Sequence, residues 1–233
     1  MKKLIICAVA IAVLFTAGQK AALAQFMIGI GYDQTSYRSG DARHGNPFDG
    51  FSAEVSHTSM PAGRVLGLNF GVGYQFNTRS DDSYALGAFK ANVSSQEQYV
   101  SVPLRLVLDI PVSKSGIMLM GGGYAAFGIS GIKTYEFIIE DLGRAVVSYD
   151  YLNDVITSDL SVPDTVTKDI TYATNGNSLG KLDYGLQAGG GFRFGNSVAF
   201  SAIYSHGLAN RYGDPGKGNL TRNGLLFRIA FLF

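Results

Sequence analysis

From residue 25 onward the chain keeps a period of two, and that spacing restricts its fold more than any other feature. Leu225, Phe227, Ile229, Phe231 and Phe233 fall on one side of an extended segment; Gly224, Leu226, Arg228, Ala230 and Leu232 fall on the other. The pattern returns in Leu182–Phe194, Leu66–Phe76 and Val100–Ile110. In each, one face is large and apolar, while the other carries glycine, small polar groups such as Asn69 and isolated charges such as Asp183, Arg193, Arg105 and Asp109. These segments have about the 9–11 residues that a tilted strand needs to cross a bilayer. Shorter alternations occupy Phe26–Tyr32, Phe51–Val55, Ile117–Ile129 and Val198–Tyr204, giving eight strands in all.

A soluble sandwich also alternates, but its solvent face normally carries more charge and less glycine. Here only 16% of 233 residues are charged, 46% are hydrophobic, and there are 30 glycines and 13 tyrosines. After residue 25 no apolar run reaches the length of a membrane-spanning helix. Lipid permits one other spanning structure, a closed barrel in which every backbone group pairs between strands. The expected fold is all-β: a transmembrane antiparallel up-and-down β-barrel of eight strands, or ten if segment 131–180 belongs to the wall.

The first 24 residues read as a cleaved signal peptide. Lys2 and Lys3 precede an apolar run from Leu4 to Phe15, and Ala22-Leu23-Ala24 supplies a small-x-small cleavage site. Residues 25–233 then form the barrel. The single cysteine, Cys7, leaves with the signal, so neither a disulfide nor a cysteine metal site is expected. Losing Lys2, Lys3 and Lys20 reduces the 19 basic residues to 16 against 18 acidic ones, which is no footprint for nucleic acid.

Connections alternate between short and long. Short turns are expected near Ser59–Gly63, Pro111–Gly116 and Gly195–Ser197, and long loops at Arg38–Asp49, Asn77–Ser95, Gly131–Gly180 and Arg211–Arg222. Barrels of this type keep short turns on the periplasmic side and long loops outside. Within 131–180, Lys133–Glu140 and Arg144–Tyr151 are β-prone and predict a projecting hairpin followed by a polar tip. Asp154, Asp159, Asp164 and Asp169 in that tip are too widely spaced for a calcium site.

Several segments resemble the outer-membrane β-barrel (porin-like) family common in Bacteroidetes, related to the small eight-stranded outer-membrane proteins A and X. They are Tyr99–Leu104, Leu182–Leu186, Tyr204–Asn210 and Leu225–Phe233. The resemblance implies an outer-membrane location, lipid as the surrounding partner, and assembly by barrel-assembly machinery. For that machinery the stripe Phe227, Ile229, Phe231 and Phe233 would be the signal. It implies little about activity, because one fold hosts many functions.

The alternation sends Asp33, Glu54, Arg105, Asp109, Asp183, Arg193 and Arg228 into the lumen. Buried charges must be paired, so these seven are expected to form an internal ion network. The expected role is structural, or surface interaction through the extracellular loops, with loop 131–180 as the place for a ligand. A narrow porin-like channel for small solutes is the alternative, since charged rings can line a path. An outer-membrane enzyme built from rim residues such as His44, His206 and Asp33 comes third, because no nucleophile stands beside a base. His57 belongs near a periplasmic turn. No catalytic residue, cofactor or metal site is expected.

Overall fold

A computed structural model describes residues 22–40, 42–61, 65–80, 84–86, 89–139, 143–160, 179–212 and 218–233. The predicted signal segment up to residue 21, and Asp164 and Asp169 of the polar tip, lie outside the described residues. Eleven strands are present among them: β1 (Ala22–Ser39), β2 (Ala42–Pro61), β3 (Leu66–Ser80), β4 (Tyr84–Leu86), β5 (Phe89–Val112), β6 (Ser115–Ile139), β7 (Gly143–Asp150), β8 (Val155–Leu160), β9 (Leu182–Phe194), β10 (Val198–Gly207) and β11 (Leu220–Leu232).

Eight of these close a ring in the order β1–β2–β3–β5–β6–β9–β10–β11, every neighbouring pair antiparallel. The seam is β1 against β11, from Met27 opposite Leu232 to Ser39 opposite Leu220. The eight-strand reading holds. Strands β7 and β8 lie outside the ring: β7 pairs with the upper part of β6, and β8 with β7. The β6–β7 hairpin coincides with the two β-prone runs of segment 131–180.

Alternation sorts the side chains as the sequence requires. Ile28 and Ile30 of β1, Leu104 and Leu106 of β5, Leu186 and Phe192 of β9, and Phe227 and Ile229 of β11 face outward and are exposed. The outer strip of β5 from Val100 to Ile110 is about 34 Å long at the usual strand rise. At a tilt of roughly 40° it is about 26 Å tall, the height of a lipid-facing band. Rings border that band: Tyr32, Phe51, Tyr184 and Tyr204 at the upper edge, Phe26, Phe194 and Phe231 at the lower. Above the upper rings the outward positions turn polar at Gln34 and Asp49.

Two of the predicted long loops are largely strand, and a third yields its end to one. β1 and β2 pair up to Ser39 opposite Ala42, turning at Gly40, whose φ of 59° suits glycine. β3 and β5 pair up to Ser80 opposite Ser94, inside the predicted Asn77–Ser95 loop. The predicted Arg211–Arg222 loop gives up Leu220–Arg222 to β11. The ladder does not need lipid, so it continues past the apolar band, where polar outer faces hide the alternation. Opposite, β5 and β6 turn tightly at Ser113 and Lys114, and β9 and β10 turn through Gly195–Ser197.

The outward assignment has a direct test. Ile229, opposite both Ile30 and Phe200, sits mid-band, where a lipid-facing arginine costs ~2–4 kcal/mol. Ile229→Arg is expected to lower the folded, heat-modifiable fraction in lipid vesicles sharply; wild-type folding would invert the inside–outside assignment.

Candidate functional site

The lumen is layered along its axis. At the short-turn end, Met27, Met118, Ala199 and Leu232 form one apolar cluster, and Val107, Met120, Ile203 and Leu226 form another just above. The void beside them measures about 20 Å³, room for about one water molecule. An eight-stranded barrel is just wide enough for its side chains to fill it.

Next comes the charged layer. Arg105 grips Glu54 through two parallel hydrogen bonds, Nη1 to Oε1 and Nη2 to Oε2, each 2.9 Å. Arg228 donates to the same Oε1 from the opposite wall. Arg105 also reaches Gln187 (2.9 Å) and Asn69 (3.3 Å), which bond Ser205 and Thr58 in turn. One connected network thus ties β2, β3, β5, β9, β10 and β11 across the interior.

Of the seven predicted lumen charges, Glu54, Arg105 and Arg228 come together here. Asp109 and Arg193 pair separately near the lower turns, at 2.8 Å. Asp183 meets none of the seven; its partners are Arg222 (3.5 Å) and Tyr124 (3.2 Å). Asp33 accepts from Asn77 at 3.2 Å and is in no salt bridge among the described residues.

Sequence reasoning missed the uppermost layer: Tyr37, Glu97, Tyr99, Arg211 and Arg222, all buried. Tyr37 donates to Glu97 Oε1 at 2.7 Å, and Tyr151 donates to the same oxygen. Arg211 donates to the Tyr99 hydroxyl at 2.8 Å, and the Arg222 guanidinium lies 4.3 Å from the Tyr99 ring centroid. Burial, and then the Glu97 charge, raise the Tyr37 and Tyr151 phenols well above their ordinary pKa, so both remain donors. Parity could have found most of this layer. Glu97, Tyr99 and Arg105 share one face of β5, as Arg222 and Arg228 share one face of β11. With the missed residues added, Asp33, Glu54, Glu97, Asp109 and Asp183 stand against Arg105, Arg193, Arg211, Arg222 and Arg228, five of each sign.

Above this layer opens a cavity of about 390 Å³, lined chiefly by Tyr37, Phe48, Tyr135, Tyr149, Tyr151 and Tyr212, with Glu97, Arg79 and Lys133 as its charges among the described residues. Its wall is the upper part of β1, β2, β3, β5, β6 and β7, with Leu220 of β11. Gly131 makes room for that wall: a Cβ there would meet the Tyr151 ring at 2.5 Å. His57 and His206 take no part, and the side chain of His44 lies outside the described residues. His57 packs beside Phe70 on the outer surface, and His206 is exposed, away from buried Asp33.

A closed ring with an apolar exterior of bilayer height and charges sealed inside is the arrangement that outer-membrane lipid requires. The chain is an outer-membrane β-barrel. No protein-family model matches it, and no curated protein does. Among solved structures it is similar to Ail, the attachment invasion locus protein of Yersinia pestis, in complex with the heparin analogue sucrose octasulfate. Identity is 11% and the TM-score 0.44, over 90% of this chain and 99% of that one. It is also similar to Neisserial surface protein A (11%, TM-score 0.38, 89% and 97%). A third is a major outer membrane protein of Thermus thermophilus (12%, TM-score 0.35, 91% and 100%). The barrel itself rests on the strand pairing described above.

The charged layer predicts unequal effects of removing its members. Glu54→Ala leaves two buried guanidiniums without their carboxylate and is expected to cost ~3–5 kcal/mol. Arg228→Leu leaves Glu54 in its two-bond contact with Arg105 and should cost less than half as much. Urea unfolding of the two variants in lipid vesicles checks the order.

Proposed function

We propose that the protein is a non-conducting, non-catalytic barrel of the cell surface whose work is recognition at the end carrying the long strands. The supporting observation is the contrast between the two ends. One is filled by apolar clusters and a cross-lumen ion network; the other carries a walled, aromatic cavity of ligand-binding size. On this reading the upper part of β6, with β7 and β8, stands outside the cell, and residues 131–180 serve a surface partner. The likeness of Tyr99–Leu104 and Leu225–Phe233 to the Bacteroidetes porin-like family supports a place among small surface barrels.

The same reading takes residues 1–24 as a signal peptide, so that β1 of the exported chain starts at Gln25. It also takes Phe227, Ile229, Phe231 and Phe233 as the assembly signal. Phe233 closes the seam, exchanging backbone hydrogen bonds with Phe26. The narrow-channel alternative would need a water column through the Glu54 layer, where Arg105 and Arg228 close on one carboxylate from opposite walls.

Cys7 lies in the signal segment, so an introduced cysteine is unique in the exported protein. Val155→Cys, at the exposed start of β8, is expected to react with a membrane-impermeant maleimide on intact cells. Lys114→Cys, in the β5–β6 turn, should react only after the outer membrane is opened. The opposite pattern would put the cavity in the periplasm and end the surface reading. A large steady conductance of the refolded protein in planar bilayers would transfer the assignment to the channel.

A further inference from the structure

The cavity's chemistry is arranged in rows that strand register fixes. Arg79 of β3 stands opposite Ser95 of β5, Ser95 opposite Lys133 of β6, and Lys133 opposite Tyr149 of β7. The upper row therefore presents two cations on either side of a serine. Each leans on a ring: the Arg79 guanidinium lies 4.5 Å from the Phe48 centroid and Lys133 Nζ 5.1 Å from that of Tyr135. Two residues lower on the same face of β5, roughly 7 Å along the strand, Glu97 lines the cavity with Tyr37 and Tyr151 beside it.

Glu97 is 1% exposed, and both phenols donate to its Oε1. Its Oε2 has no hydrogen-bond partner among the described residues. A buried carboxylate oxygen without a donor is costly, and each native instance calls for an explanation. The neighbouring arginines do not supply one: Arg211 and Arg222 direct their hydrogen bonds to Tyr99, Thr35 and Gln75. Tyr37 and Tyr151 have committed their protons to Oε1, so around Glu97 they offer only oxygen lone pairs and ring faces. Acceptors and aromatic faces around a carboxylate favour a cation with N–H groups or a methylated ammonium. The row above favours an anion, which arginine and lysine bind by charge-assisted hydrogen bonds.

We infer that the cavity binds a small zwitterion, its ammonium toward Glu97 among the tyrosines and its anionic group between Arg79 and Lys133. This deepens the surface-recognition reading and rests on it. A free amine entering alone meets the two cations, a free anion meets the Glu97 carboxylate, and a neutral sugar answers neither row. Both charges on one short molecule satisfy both rows. An aminoalkyl phosphate has this chemistry, whether free or as the headgroup of a lipid.

The test uses the full exported chain in phosphatidylglycerol nanodiscs, whose headgroups carry no ammonium, and titrates O-phosphoethanolamine by calorimetry. Saturable binding is expected, with ethanolamine alone and inorganic phosphate alone each at least tenfold weaker. Glu97→Gln should weaken binding at least tenfold and Lys133→Met at least threefold, both retaining the heat-modifiable mobility of a folded barrel. Phosphatidylethanolamine vesicles separate the sources: co-sedimentation supports a lipid headgroup, and binding of the soluble probe alone supports a free zwitterion. Ethanolamine or phosphate binding as tightly as the whole probe overturns the inference, as does unchanged affinity in folded Glu97→Gln. Maltose binding that Tyr151→Ala abolishes would overturn the zwitterion while leaving surface recognition standing. Silence toward every probe also overturns it, and the maleimide pattern decides the surface reading independently.

Discussion

The interaction on which the rest depends is the grip of Arg105 and Arg228 on Glu54. A barrel in lipid has two apolar options for every strand, outward into the bilayer or inward into the core, and the backbone ladder alone does not choose between register shifts. A slip of one residue on β2, β5 or β11 would carry one of these three charges into lipid and bring an outward apolar side chain into the lumen. The carboxylate lies on β2 and the guanidiniums on β5 and β11, so three strands must be in register together for all three charges to be paired. Lipid exposure and the ion network therefore select the same arrangement.

The upper half of the molecule follows from a change of partner in β6. Up to Phe127 this strand pairs with β9; from Ile132 it pairs with β7. Between them the β5–β6 register shifts, with Gln98 opposite Ser130 and Tyr99 opposite Gly128. An extra residue in one strand bends it and increases its twist. β6 thus leaves the ring, and Tyr99, Tyr124, Ala126, Tyr149, Tyr151 and Leu152 pack into the opened seam. Without that departure there would be a rim of hairpins but no wall, and no cavity.

Most of the barrel could be read from the sequence because lipid enforces alternation without exceptions. All eight ring strands and the inward positions of Glu54, Arg105 and Arg228 follow from period two. The pairing of those charges was only partly legible: parity says that Asp183 points inward, but not that Arg222 lies beside it. Arg222 and Glu97 were lost at the band edge, where outward residues become polar and the contrast between faces disappears. Extending parity upward from Arg228 and Arg105 recovers both. Tyr151 has no such signal, since its burial depends on a turn after β7 and on the missing side chain at Gly131.

The lumen and the cavity are one mechanical object. Arg222 bonds Asp183, Thr35 and Gln75 below and lies against the Tyr99 ring above. Tyr99 hydrogen-bonds Tyr37, which donates to Glu97. The acid on the cavity floor is thereby positioned through a chain of buried polar contacts anchored on β1, β3, β9 and β11, all fixed by the membrane-embedded ring. A ligand that uses Glu97 meets a group whose orientation has already been set during folding, so little ordering cost remains at binding. The interior packed with side chains in the membrane-embedded ring is the same interior that holds this floor rigid.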